Sequence, residues 1–214
     1  AAYQFPVSLN DTTRAYFLAQ AEMASPDVAA DMRAVVTDPT NDEAAQRLWT
    51  ANPSWNGMLR TTCVATQFDG GHAPNALPQR AKVNVNCRIL PGVPMEQVRA
   101  DLIRVIADDA ISVHFGDEMG LPAPVPPLTA EMLDPIRTIA KALWPDARVV
   151  PTMATGATDG RFLNAAGTPT YGISGVFADA AGSGAHGLNE RIRVQSLLDA
   201  RQFLHELVKS YTRH

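Results

Sequence analysis

Residues 155–191 read TGATDGRFLNAAGTPTYGISGVFADAAGSGAHGLNER, and this pattern predicts a glycine-rich turn, a helix, a buried strand and a mobile loop in succession. Thr158 or Asp159 is placed to cap the helix that Arg161 opens, which leaves backbone N–H groups facing outward. A cation in the first turn of a helix opposes the helix dipole. We therefore expect Arg161 to have an acidic partner or ligand, with an ordinary exposed arginine as the alternative.

The second part of this stretch predicts a strand followed by a loop that carries a histidine. Residues 168–175 have the composition of a short buried strand. The glycine-rich residues 180–185 then lead to His186. A histidine on a loop behind a strand has the arrangement of a functional site, because imidazole serves both proton transfer and metal binding.

Three segments of the stretch, TGATDGRF, GTPTYGISG and GSGAHGLNERI, resemble in order the C-terminal part of a dinuclear-zinc hydrolase family. That family comprises aminoacylases, carboxypeptidases and succinyl-diaminopimelate or acetylornithine deacylases. The resemblance implies that His186 is a metal ligand, that Arg161 binds the substrate carboxylate, and that Glu190 matches the glutamate of the same family segment. It also implies two zinc ions in the complete enzyme, with cobalt or manganese as alternatives.

Residues 70–92, GGHAPNALPQRAKVNVNCRILPG, resemble the hairpin of the same family's lid domain. On spacing alone, Asn75 is expected in a local Asx-turn. The resemblance implies instead that Asn75 contacts substrate and that Arg88, on the next strand, lies nearby. A fixed carboxamide both donates and accepts hydrogen bonds, as recognition of a peptide-like substrate requires. His72 has no second ligand at metal-binding spacing and is interpreted as structural or surface.

The family's other metal ligands and its catalytic glutamate come from an N-terminal half whose motifs are not in these residues. We therefore expect the chain to be a C-terminal fragment that contains no catalytic residue, holds no zinc tightly and is inactive alone. In the complete enzyme, the resemblance implies hydrolysis of amide bonds in peptides or N-acyl amino acids. The alternative is a non-catalytic dimerisation or substrate-binding module. A phosphate loop at TGATDG is disfavoured because the G-x-x-x-x-G-K-[ST] spacing is missing.

Composition places the chain among ordinary globular proteins, with 46% hydrophobic and 19% charged residues. A net charge of −4 provides no basic surface, which argues against nucleic acid and anionic membranes as partners. No apolar run reaches the roughly 20 residues of a membrane span. Cys63 and Cys87 could pair or stay free, and we interpret both as small buried residues. The sequence leaves the cellular compartment open.

Residues 1–116 are predicted to form an α+β lid domain that makes a homodimer and lacks its first strand and helix. Residues 11–50 favour three helices, the second with Ser25 and Pro26 as N-cap and N1 and the third opened by Thr40 and Asn41. The alternation of residues 81–89 predicts a strand with one buried and one polar face. A helix from Met95 and a strand at residues 111–115 complete an antiparallel sheet with helices on one face.

The proline-rich residues 116–127 predict a boundary near residue 117, between the lid domain and a C-terminal α/β part of the catalytic domain, residues 117–214. In this part, a helix ends before Pro145 and a strand follows at residues 148–152. Apolar residues at helical spacing from Val194 to Tyr211 predict a last, packing helix. The alternation of helices and strands favours an α/β layer.

Overall fold

The computed structural model describes residues 3–116, 124–178 and 182–212. In these ranges the chain forms eight helices and one antiparallel pair of strands. The elements are α1 (Asp11–Ala21), α2 (Pro26–Thr37), α3 (Asp42–Ala51), α4 (Pro53–Leu59), β1 (Thr62–Gly70), β2 (Ala81–Arg88), α5 (Met95–Ile106), α6 (Ala130–Leu143), α7 (Gly160–Ala165) and α8 (Val194–Thr212).

The chain divides into two compact units, one of residues 1–125 with 150–169 and the other of residues 126–149 with 170–214. The predicted boundary near residue 117 lies outside the described residues, as do residues 180 and 181 of the predicted loop. The assignment of residues 1–116 and 117–214 to two domains of a larger fold stays a prediction.

Helices α1 to α4 form the main apolar core, which we call the helical cluster. Phe17, Met32, Leu48 and Leu59 are fully buried in it. The predicted starts of the second and third helices are confirmed, since Pro26 occupies the first turn of α2 and the side chain of Asn41 accepts a hydrogen bond from the Ala44 amide at 3.0 Å. Complete burial of large side chains makes this cluster the best-packed part of the first unit.

Helix α4 lies beyond residues 11–50, for which helices were predicted, so no helix was expected to begin at Pro53. Pro53 instead begins a new one, and the side chain of Asn52 caps it by accepting from the Ser54 amide at 3.0 Å. Beyond its end, the buried Arg60 donates to the Phe5 carbonyl at 3.1 Å. Burial lowers the pKa of the Arg60 guanidinium.

The two strands pair with Thr62 opposite Arg88 and Gly70 opposite Ala81, and the register shifts between Ala65 and Gln67. This β-bulge places Cys63 directly opposite Cys87, and the structure joins them in a disulfide. The interpretation of both cysteines as small buried residues is therefore wrong. The pairing depends on a register that the bulge sets.

The apolar face of the hairpin also differs from its prediction. Phe68, Val83 and Val85 share this face, yet all three are exposed, Phe68 by 76%. In the described residues the sheet has only two strands, so it lacks the width that usually supports a covering layer. The strand has one apolar and one polar face as predicted, but the prediction that the apolar face is buried is wrong.

The disulfide is expected to be the main stabilising link of this hairpin. Its cysteines are 24 positions apart, and a cross-link over such a loop contributes about 3 kcal/mol to the free energy of unfolding. Reduction, or replacement of Cys63 and Cys87 together by serine, should therefore speed amide hydrogen exchange in residues 62–88 by up to about 100-fold. Amides of the helical cluster serve as the internal control. Unchanged exchange in the hairpin after reduction would contradict this expectation.

The strands predicted at residues 111–115, 148–152 and 168–175 are not found among the described residues as strands. A strand requires a neighbour for its backbone hydrogen bonds, and β1 and β2 pair only with each other in this part of the chain. Residues 111–115 lie instead beside α5, where Arg99 donates to the Val113 carbonyl at 3.4 Å and its guanidinium lies 5.8 Å from the ring centre of Phe115.

In the second unit, α6 and α8 pack through Ile136, Ala140, Phe203 and Leu207, as the predicted helical faces require. The helix predicted to end before Pro145 is α6, and the predicted last helix is α8. The indole of Trp144 extends this core, with its ring centre 5.4 Å from that of Phe203. Packing of these two helices is thus predictable from their apolar stripes.

Candidate substrate-binding and metal-binding residues

Asn75 lies on the connection between β1 and β2, in a tight turn. The Ala76 amide donates to the Ala73 carbonyl at 3.3 Å, which places Pro74 and Asn75 at the two central positions. Proline fixes its own φ angle at the first of these positions, so the turn is stiff. The carboxamide of Asn75 is exposed and makes no hydrogen bond with the described residues. The alternative of a local Asx-turn is therefore wrong, and the carboxamide is available for a ligand.

Arg88 is the last residue of β2, on the polar face of the hairpin, and the length of the strand, about 23 Å, separates it from the end that carries the connection with Asn75. The hairpin therefore does not support the expectation that Arg88 lies near Asn75. A cavity of about 440 Å³ opens there, lined by Thr62, Val64, Thr66, Asn86 and Arg88 together with Cys63. The root of the hairpin is fixed, because the Leu90 amide donates to the Thr61 hydroxyl at 3.3 Å. The cavity thus combines a guanidinium with hydroxyl and amide groups, which suits a small polar or anionic group.

Arg161 stands in the first turn of α7, as predicted, but the cap differs from a simple N-cap. Asp159 precedes the helix without a side-chain cap bond, and the Gly160 amide donates to the Thr158 hydroxyl at 3.4 Å. The guanidinium of Arg161 lies 4.6 Å from the ring centre of Phe162. Among the described residues it has no carboxylate partner, so the expected acidic protein partner is not found in this part of the chain.

The loop that carries His186 is a closed turn. The Arg191 amide donates to the Ser183 carbonyl at 2.8 Å, and the Gly187 amide donates to the Gly184 carbonyl at 2.9 Å. Within it, His186 is exposed and has a φ of 63°, a left-handed conformation that costs a non-glycine residue about 1–2 kcal/mol. Such strained residues concentrate at functional sites, where the surrounding turn holds them.

Gly184 is required for this turn on two grounds. Its φ is +65°, which disfavours any other residue. A Cβ at this position would also lie 2.9 Å from the Asn189 carbonyl oxygen. The exposed imidazole is thus presented by a loop whose shape depends on a glycine.

The described residues do not complete a metal site. Nowhere in residues 3–116, 124–178 and 182–212 do three or more His, Cys, Asp or Glu side chains come together in a way that could hold a metal ion. His186 belongs to the second compact unit, whereas Arg161, Asn75 and Arg88 belong to the first. A single imidazole does not bind zinc usefully, since zinc takes three or four protein ligands. The described residues by themselves therefore do not fit a dinuclear metal centre.

Residues outside the sequence-based set also shape the candidate site. Thr66 also lines the cavity, because strand alternation places it on the same face as Thr62 and Val64. His72 is exposed, in agreement with its interpretation as a structural or surface residue. No helix in the described ranges has the length and apolar character needed to span a membrane.

Comparison with protein families matches residues 15–114 to the peptidase dimerisation domain M20_dimer. The human N-fatty-acyl-amino acid synthase/hydrolase PM20D1 is 29% identical over 168 residues, which cover 77% of this chain and 33% of that protein. The probable carboxypeptidase S-like 2 of Dictyostelium discoideum is 26% identical over 165 residues, which cover 77% of this chain and 32% of that protein.

Among solved structures, the M20 family metallo-carboxypeptidase Sso-CP2 from Sulfolobus solfataricus matches 95% of this chain and 46% of its own, with a TM-score of 0.59 and 17% identity. At this identity the match shows a shared fold. The chain spans about a third of the length of the curated relatives it matches.

Proposed function

The chain is a relative of the M20 peptidases and carries their dimerisation domain, and from this premise we propose that it is the substrate-binding and dimerising part of a zinc-dependent hydrolase of amide bonds. Its substrates are peptides or N-acyl amino acids that carry a free carboxylate. The observation that carries the proposal is the match of residues 15–114 to the dimerisation domain. The names of the relatives, which include an N-fatty-acyl-amino acid synthase/hydrolase and a probable carboxypeptidase, support the reaction class.

Three side chains of the first unit have the chemistry to orient such a substrate. Arg161 offers a planar guanidinium with no carboxylate partner among the described residues, and it binds the substrate carboxylate through two parallel hydrogen bonds. Asn75 offers a free carboxamide on a stiff turn, which suits the amide group. Arg88 and its cavity accept a second polar group of the substrate. Placement of these groups contributes to the rate by holding the substrate in a reactive orientation.

His186 supplies one metal ligand in this proposal, and the other ligands and the catalytic glutamate come from M20 sequence outside this chain. The support is the exposed imidazole on its closed, strained turn. Residues 15–114 serve as the homodimer interface of the complete enzyme.

The proposal is tested with the chain alone and with the chain joined to the N-terminal part of an M20 relative, which supplies the remaining ligands and the catalytic glutamate. Both proteins are supplied with zinc and assayed on N-acyl amino acids and dipeptides. We expect turnover only from the joined protein, and we expect a chelator to abolish it. Turnover by the chain alone that disappears in His186→Ala would contradict the proposed division of the metal site. No turnover by a folded, zinc-loaded joined protein would favour the non-catalytic dimerisation module.

A further inference from the structure

Helix α4 and the turn before Arg161 approach each other closely, although they are far apart in the sequence. A Cβ placed on Gly57 would lie 3.0 Å from the Cγ2 methyl of Thr155 and 3.6 Å from its Cβ. The first distance is tighter than nine in ten real contacts of this kind, so an alanine would require the Thr155 methyl group to shift by a few tenths of an ångström. Gly57 sits inside a helix, where glycine is less stable than alanine. Close approach of Thr155 explains why a glycine is nevertheless suited to this position.

A second contact packs the segment before Arg161, residues 153–155, against the helical cluster. Met153 is partly buried and packs against the core formed by α1 to α4. Residues 153–155 therefore rest on this core at two neighbouring points. Since protein cores transmit small displacements rather than absorb them, the position of α4 defines the position of the segment.

From Thr158 onward the turn is bonded internally, and Thr155 is joined to it through the backbone of Gly156 and Ala157. The Arg161 amide donates to the Thr158 carbonyl at 3.2 Å, and the Phe162 amide donates to the Asp159 carbonyl at 3.0 Å. Gly160 is buried between these residues. The backbone of this turn and the ring of Phe162 are thus what positions the Arg161 guanidinium in this part of the structure.

We propose that Gly57 is a positioning residue for Arg161. The missing side chain of Gly57 leaves room for Thr155, so the helical cluster determines where the turn that carries the Arg161 guanidinium lies. The helical cluster lies in the matched dimerisation region. The inference rests on the proposed role of Arg161 in binding the substrate carboxylate. It links the dimerising part of the chain to substrate binding through one contact between a helix and a turn.

The first test uses amide hydrogen exchange of the chain itself, which needs neither metal nor substrate. In Gly57→Ala we expect exchange in residues 156–163 to become at least 3-fold faster, because the new methyl group displaces the turn. Thr155→Ala removes the contacting methyl and leaves an ordinary distance of 3.6 Å to the remaining Cβ. In the double variant Gly57→Ala, Thr155→Ala, the exchange rate in residues 156–163 should therefore be within 2-fold of the rate in Thr155→Ala alone.

The matched control is Gly156→Ala in the same turn. No atom lies within 4 Å of a Cβ at Gly156, and its φ is outside the left-handed region, so this change should leave the turn unaltered. The melting temperature distinguishes an effect on positioning from an effect on folding. Alanine is favoured over glycine in a helix, so Gly57→Ala should not lower the melting temperature. A merely structural glycine would give unchanged exchange in residues 156–163.

In the joined enzyme, Gly57→Ala should raise KM for an N-acyl amino acid by about 3- to 10-fold with a smaller effect on kcat, since small misplacements of binding groups are costly. Thr155→Ala should rescue this KM. Equal exchange in Gly57→Ala and wild type, or a raised KM that Thr155→Ala does not rescue, would overturn the inference. If Arg161→Ala retains the preference for a carboxylate, the proposed role of Arg161 is wrong. The exchange experiment still tests whether Gly57 positions the turn that carries Arg161.

Discussion

We expect His186→Ala, in an enzyme that joins this chain to the N-terminal part of an M20 relative, to remove one metal ion and lower kcat more than about 100-fold. Changes to residues that only support metal ligands already cost about 10- to 100-fold in affinity or activity, and loss of a ligand itself should cost more. The strained φ of His186 and the closed turn around it fit a side chain held in one place for a ligand.

The measurement is the metal-to-protein ratio of the purified joined enzyme, together with kcat. His205→Ala is the matched control, because His205 is an exposed histidine of the same compact unit, on α8. This control should keep both metals and normal turnover. Full metal occupancy with normal turnover in His186→Ala would show that His186 is not a ligand.

The helices were largely predictable because their signals are local. Asn41 caps α3 through its own side chain, and Pro26 begins α2 at the position where proline is favoured. The same reasoning applied to Asn52 and Pro53 would have predicted α4, since this pair begins a helix as Ser25 and Pro26 do. That omission was an error of interpretation, because the signal is present in the sequence.

The disulfide could not be derived from the alternation of β2 alone. Near the connection, Gly70 pairs with Ala81, and an unbroken continuation of that register would place Cys63 beside Arg88. The bulge near Thr66 shifts the register by one residue and brings Cys63 opposite Cys87. A bulge changes which residues face each other without changing the composition of either strand. The only hint in the sequence is that apolar residues of β1 stand at odd positions in one part of the strand and at even positions in another.

The family resemblance is confirmed by the comparisons, and the matched dimerisation domain includes residues 70–92. The predicted strands outside the hairpin, in contrast, fail for a physical reason. A strand is stabilised by neighbours that local sequence does not specify, and the described residues offer none to residues 148–152 or 168–175. For the candidate site, residue identities came from motifs, but the contact between Gly57 and Thr155 depends on tertiary packing. The roles of Arg161, Asn75, Arg88 and His186 stay predictions.

The second large effect is expected for Arg161→Ala, which should lower kcat/KM for N-acyl amino acids roughly 30-fold or more. Removing one member of a desolvated charge pair costs about 2–5 kcal/mol. Arg161→Lys should fail as well, since an ammonium group lacks the planar two-point geometry. Arg137→Ala is the control, because Arg137 is an exposed arginine whose weak ion pair with Asp134 lies on the surface of α6. Steady-state kinetics of the joined enzyme measure all three.

The most direct measurement compares an N-acyl amino acid with its C-terminal amide as substrates of wild type and Arg161→Ala. The four kcat/KM values form a cycle that isolates the contact between guanidinium and carboxylate. The proposed function predicts that amidation lowers kcat/KM of the wild type roughly 30-fold or more and hardly changes that of the variant, which has already lost the contact. Equal losses in both proteins would show that Arg161 does not bind the carboxylate and would contradict the proposed substrate recognition.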